Sequence, residues 1–226
     1  MKTLLVIYIC LFSSILVFKL CYAQKIKPLF NKENLKGWYA YEENSGKQKD
    51  AAEVFKVENQ MIRMFGENAG YLMSKNSFKN FRLTVEYRWN TDPSFSRKND
   101  KKNSGVMYMV PKTTHDTLWP KGIQFQIKEG ATGDFILLGG VTLQVNGIKT
   151  EPGRSVLSKR FADAENPIGT WNTIVITCIR GTIEQQLNGI LVNKGTEPSI
   201  LKGRILLQYE GFPIDFKKVE VVGLSR

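Results

Sequence analysis

From residue 24 onward the apolar positions recur with a period of two. The segment 81–89, FRLTVEYRW, alternates strictly. Leu83, Val85, Tyr87 and Trp89 fall on one face and Thr84, Glu86 and Arg88 on the other, as successive strand residues do. Segments 105–110, 122–128, 134–145, 173–179, 182–187, 190–192, 204–209 and 214–222 read as further strands. Residues 54–57 and 61–65 flank Glu58-Asn59-Gln60 and predict a hairpin. Asn188-Gly189 predicts another, because Asn and Gly accept the positive φ angles of a tight turn. No convincing helical period appears. About ten strands without a crossover helix predict an all-β chain, an antiparallel β-sandwich or jelly roll in a single domain spanning 24–226. The irregular stretches 90–103 and 150–170 are basic and polar and read as surface loops; stretches this long are either functional or plain insertions.

The polar halves of these strands carry the first hint of function. Ile123, Phe125 and Ile127 oppose Gln124, Gln126 and Lys128, and Ile205, Leu207 and Tyr209 oppose Leu206, Gln208 and Glu210. With Thr84, Glu86 and Arg88, that makes three polar stripes rich in carboxamides and carboxylates. Side by side they would line a concave groove suited to sugar hydroxyls. The other reading is an ordinary solvated face, which antiparallel sheets commonly have. Trp119 lies in a loop with His115 and could stack on a sugar ring, whereas Trp38, Trp89 and Trp171 read as core or strand-edge packing.

The N-terminus changes the charge and cysteine arithmetic. Residues 1–23 have a basic start at Lys2, an apolar run over 4–18, and Cys21-Tyr22-Ala23 before Gln24, the pattern of a cleavable secretory signal. The run is short for a membrane span, so no stable membrane anchor is expected after cleavage and the product would be periplasmic or secreted. The chain has 226 residues and a formal charge of +11; removing Lys2 and Lys19 with the signal leaves +9. Such a charge raises nucleic acid, anionic surfaces and acidic substrates as partners, but no nucleic-acid motif is present. Of three cysteines only Cys178 would remain, inside the apolar run 174–179, where it reads as a small buried hydrophobe. His115 is the single histidine, which excludes His-rich metal sites, and there is no GxSxG nucleophile elbow.

Taken in order, the segments 29–38 (LFNKENLKGW), 55–62 (FKVENQMI), 80–89 (NFRLTVEYRW), 103–106 (NSGV), 124–130 (QFQIKEG), 133–135 (GDF), 171–172 (WN), 187–189 (LNG), 207–211 (LQYEG) and 216–219 (FKKV) resemble the motifs of the 3-keto-disaccharide hydrolase family. The resemblance runs from Leu29 to the C-terminus. It implies a concanavalin-like jelly roll acting on glycosides oxidised at C3 of the sugar. A C3 ketone acidifies the C2 proton; a base removes it, the C1 substituent leaves by β-elimination, and water adds. By this resemblance Glu210 or Glu86 would be the base, and Arg88 and Asn103 would bind substrate oxygens. Gln124, Gln126, Gln208, Trp119 and His115 complete the expected sugar-binding set. One divalent cation (Ca²⁺, Mg²⁺ or Mn²⁺) is implied as an enolate stabiliser, with Glu129 and Asp134 as its ligands and Glu86 and Glu210 as further candidates; no organic cofactor is expected. Where the family pattern has Glu, this chain has Gln124, which cannot act as a base. That departure motivates the alternative, a non-catalytic carbohydrate-binding module on the same fold.

Overall fold

Alternating segments bury one face only when another sheet covers it, and here two sheets do so for each other. In the computed structural model, which describes residues 26–95 and 101–225, every strand pairing is antiparallel. The signal segment expected over 1–23 lies outside the described residues. One sheet runs in the order Ile148–Lys149, Gln144–Val145, Ile190–Thr196, Thr182–Leu187, Asn172–Ile179, Phe81–Trp89, Ile214–Gly223, Met61–Met64, Lys56–Glu58, with Ile26–Pro28 paired to Ile214–Gly223. The other runs Ser155–Ser158, Phe135–Leu138, Gly122–Lys128, Asn103–Val110, Arg204–Tyr209, Gly70–Ser74, Trp38–Glu42, Gly46–Gln48. A short 3₁₀ turn, Ala51–Glu53, is capped by the Asp50 side chain. No helix among the described residues is long and apolar enough to cross a membrane.

The core lies between the sheets. Leu83, Val85, Tyr87 and Trp89 meet Ile123, Phe125, Ile127, Ile205, Leu207 and Tyr209 there, the faces that alternation assigned. Cys178 is buried among them, and desolvation pushes its thiol pKa far up, so it is a packing residue. Asn188 and Gly189 take φ of 51° and 82°, the tight turn expected.

Two departures bear on function. The expected strand 134–145 breaks at Gly139-Gly140, both at positive φ, so Phe135–Leu138 stays in one sheet and Gln144–Val145 crosses to the other. More consequentially, Phe81–Trp89 lies in a different sheet from Gly122–Lys128 and Arg204–Tyr209. The three polar stripes therefore do not share one groove; the core separates the first from the other two.

A second apolar cluster sits on the outer face of the eight-stranded sheet: Tyr39, Tyr71, Met73, Met107, Val110, Leu138 and Leu206. Segment 111–121 folds over it and is held through Asp116, which accepts hydrogen bonds from Tyr39 Oη (2.6 Å) and Tyr71 Oη (3.1 Å) and pairs with Lys47 Nζ (2.7 Å). Burial works to raise the Asp116 carboxyl pKa, but the Lys47, Tyr39 and Tyr71 hydrogen bonds outweigh it and hold it below the usual range. A depressed carboxyl contributes stability above its unfolded value, about pH 4, and loses it as pH falls through the lower folded value. Asp116→Asn is therefore expected to lower stability at neutral pH and to flatten its decline below about pH 4. Urea unfolding across that pH range measures both.

Candidate functional site

The outer face of the eight-stranded sheet can be read strand by strand. Register places Lys47, Tyr41, Tyr71, Gln208, Gly105 and Gln126 in one row across six strands. The next row carries Tyr39, Met73, Leu206, Met107, Gln124 and Ile136. Aromatic and aliphatic side chains fill one end of this face, and carboxamides gather at the other.

At the carboxamide end a groove of about 690 Å³ opens. Its polar wall is a relay of amides ending on a carboxylate. Gln124 Nε2 donates to Gln126 Oε1 (2.6 Å). Gln126 Nε2 donates to Asn103 Oδ1 (2.9 Å). Asn103 Nδ2 and Gln208 Nε2 both donate to Glu210 Oε2, at 2.5 and 2.9 Å. Gln124, Gln126 and Gln208 are buried, and Glu210 and Asn103 are half-buried. Gln208 Oε1 is buried without a hydrogen-bond partner among the described residues. Such an acceptor costs free energy unless something donates to it, and a sugar hydroxyl would. Each amide also has a second N–H that this relay does not use. The apolar wall is Leu118, Trp119, Ile136 and Leu138, with Thr117, Arg154 and Ser155 at the rim.

Gly105 makes room for this relay. It stands between Gln126 and Gln208, and a Cβ there would fall on Gln124 Nε2 and within 2.8 Å of its Cγ. Gly105→Ala is expected to push Gln124 off Gln126 and cost about 1–3 kcal/mol, the usual range for overpacking. Chemical denaturation gives the cost, and an unchanged circular-dichroism spectrum assigns it to the displaced amide and not to a changed fold.

The structure thus brings together Asn103, Trp119, Gln124, Gln126, Gln208 and Glu210 of the residues singled out from the sequence. It does not bring in the others. Glu86 is on the outer face of the opposite sheet, paired with Lys217 (2.8 Å) and Lys218 (3.9 Å). Arg88 lies on that same face; its guanidinium binds Asp215 (3.0 Å) and stacks over Trp171. Both roles came from the family resemblance, and the shared groove that would have joined them to Gln126 and Glu210 required neighbouring strands, which the two sheets separate. His115 is exposed and outside the groove's lining, while its neighbour Asp116 anchors the loop. Glu129 is exposed and paired with Lys102 (2.7 Å), and Asp134 is buried, accepting from Arg160 N (2.9 Å) and Nη1 (3.3 Å).

The expected cation does not fit these positions. Glu129 and Asp134 are each held by a basic partner away from the groove, which offers Glu210 as its one carboxylate among the described residues. Among the described residues no group of three or more His, Cys, Asp or Glu is placed to hold a metal ion. Sequence reasoning missed Leu118, Ile136, Leu138 and Arg154, whose signal would have been apolar or basic residues beside the carboxamide strands. It also missed the structural role of Gly105.

Two antiparallel sheets with a lined groove on one outer face define a concanavalin-like jelly roll. Residues 25–222 match the 3-keto-alpha-glucoside-1,2-lyase-like domain, and the chain belongs to that family of carbohydrate-active proteins. The solved structures it resembles include a candidate glycosyl hydrolase from Parabacteroides distasonis (17% identity, 88% of this chain and 94% of that one, TM-score 0.63). A Bacillus subtilis carbohydrate-binding module (10%, 83% and 96%, TM-score 0.55) and a Bacillus licheniformis β-glucanase (12%, 89% and 98%, TM-score 0.53) are also similar. At these identities the likeness concerns the fold alone. No curated protein matches the chain.

Proposed function

We propose that this chain cleaves 3-keto-glycosides, with the amide-lined groove as its active site and Glu210 as the base. The observation that carries this is one carboxylate, oriented on a single oxygen by two amide donors, at the end of a relay that leaves further N–H groups for the sugar. Glu210 takes the C2 proton. The C–H electron pair becomes the C1=C2 bond of an enone as the C1–O bond breaks, by way of an enolate at C3. The leaving oxygen takes a proton from water, and Glu210 gives the C2 proton to the hydroxide so formed and is a carboxylate again. A water molecule then adds across C1=C2 of the enone. The spare N–H groups of Asn103, Gln124, Gln126 and Gln208 suit the developing enolate charge, because fixed donors stabilise it without having to reorganise. Gln208 Oε1 accepts a sugar hydroxyl, and Trp119 offers its face to the ring. The mechanism uses no step through a cation.

Incubation of the purified protein with 3-keto-trehalose or a 3-keto-glucoside, with and without Mg²⁺, Ca²⁺ or Mn²⁺, tests the reading. Release of the aglycone is expected; an unchanged substrate under every condition sinks it. A second reading, a sugar-binding module without turnover, is favoured by Gln124, an amide where the family pattern has a carboxylate. It expects binding of the same sugar with no product. We also propose export by cleavage before Gln24, which N-terminal sequencing of the secreted or periplasmic protein checks.

A further inference from the structure

The same outer face holds a second, chemically different pocket. It has a volume of about 450 Å³ and is lined by Tyr39, Lys47, Lys49, Lys75, Lys112 and Arg204. Five of those six side chains are cationic and none is acidic. Lys47 is paired with Asp116 (2.7 Å) and lies over the Tyr39 ring, 4.1 Å from its centroid. Lys49, Lys75 and Lys112 have no ion pair among the described residues. Asp50, beside Lys49, accepts from Ala52 N through Oδ1 (3.0 Å) and has no ion pair with a lysine among the described residues. Arg204, only 7% exposed, lines the buried end. Its Nη1 donates to Tyr39 Oη (2.6 Å) and its Nη2 to Pro111 O (3.0 Å), while its Nε is buried without a hydrogen-bond partner among the described residues.

Like charges gathered around a buried donor raise one another's free energy unless an anion joins them. Nothing in the reaction above uses them. The pocket is nevertheless tied to the groove. Arg204 and Gln208 belong to one strand, and their Cα atoms are about 13 Å apart at ordinary strand rise. Segment 111–121 contributes Lys112 to one pocket and Leu118 and Trp119 to the other.

We propose that this pocket is a second ligand site for a tetrahedral oxyanion ester, sulfate or phosphate, carried by the saccharide that occupies the amide groove. The assignment rests on the groove being a sugar site, as proposed above. It makes the natural ligand an acidic saccharide, and it gives a function to cations that lie outside the basic loops.

Titration calorimetry at constant ionic strength, with chloride as the balancing ion, tests this with four probes: inorganic sulfate, inorganic phosphate, trehalose 6-sulfate and trehalose 6-phosphate, the disaccharides being long enough to span the roughly 13 Å between the two sites. The sugar esters are expected to bind about tenfold or more tightly than the inorganic ions, and the tighter ester names the natural group. Arg204→Gln removes the buried donor but also frees Tyr39 and Pro111, so the deciding variant is the exposed double change Lys75→Ala/Lys112→Ala. It is expected to weaken every probe by about tenfold. Glu210→Gln should leave inorganic sulfate binding unchanged. No binding of any probe, an undiminished affinity in the double variant, or esters no tighter than inorganic ions would each overturn the proposal. Turnover of an uncharged 3-keto-glucoside, measured in parallel, reports on the groove alone. Lost turnover with sulfate binding intact counts against the lyase reading and not against this pocket.

Discussion

Glu210→Gln is expected to lower turnover of a 3-keto-glucoside about a thousandfold, within the range that a positioned base contributes, with KM nearly unchanged. The amide keeps an oxygen that Asn103 and Gln208 can still donate to. The relay and the shape of the groove are therefore retained while the basic oxygen is lost. A fall in turnover at constant KM is the signature of an interaction needed in the transition state and not for binding. Glu86→Gln is the control. Its carboxylate faces Lys217 and Lys218 across the core from the groove, and the expected change in turnover is less than about twofold. If Glu86→Gln, and not Glu210→Gln, abolished turnover, the chemistry would belong to the other sheet and the groove would be at most a binding surface. Full activity in Glu210→Gln removes it as the base.

The contrast between these two carboxylates also marks how far the sequence could be read. Alternation placed Leu83, Val85, Ile123, Phe125, Ile205 and Leu207 in the core and Gln124, Gln126, Gln208 and Glu210 on an outer face, because the side-chain period of a strand is local. Which strands are neighbours is not local. Phe81–Trp89 has the same alternation as Gly122–Lys128, yet it pairs with Asn172–Ile179 and Ile214–Gly223 in the other sheet. Period two is silent on that choice, so Glu86 and Arg88 were grouped with the wrong strands. Gly70–Ser74 shows the converse difficulty. Buried on both faces, it has no alternation and carries no period-two signal, yet it places Tyr71 in the row that runs to Gln208. In segment 111–121 the histidine drew attention because it is unique. The working residue is the acid beside it, whose partners Tyr39, Lys47 and Tyr71 are at least 45 residues away in the chain.

Asp215→Ala is expected to cost about 3 kcal/mol of folding stability, at the lower end of the range for breaking a buried ion pair. Asp215 is directly opposite Arg63 on one neighbouring strand and Arg88 on the other. Its carboxylate, 1% exposed, receives Arg63 Nε (3.2 Å), Arg88 Nη2 (3.0 Å) and both Asn90 Nδ2 contacts (3.1 and 3.0 Å). Removing it leaves four donor atoms on three side chains facing a cavity, since Arg88 Nε also donates to it (3.1 Å). The loss falls short of the upper limit because Arg88 is about one-third exposed and can turn to water, and Arg63 keeps Glu58 (3.1 Å). Chemical denaturation gives the number, and Arg88→Ala in the same assay should cost less, since Asp215 then retains Arg63 and Asn90. Turnover per folded molecule is expected to be unchanged in both variants, because the cluster and the groove belong to opposite sheets. Unchanged stability in Asp215→Ala, together with lost turnover in Arg88→Ala, would return Arg88 to the substrate-binding role that its motif first suggested.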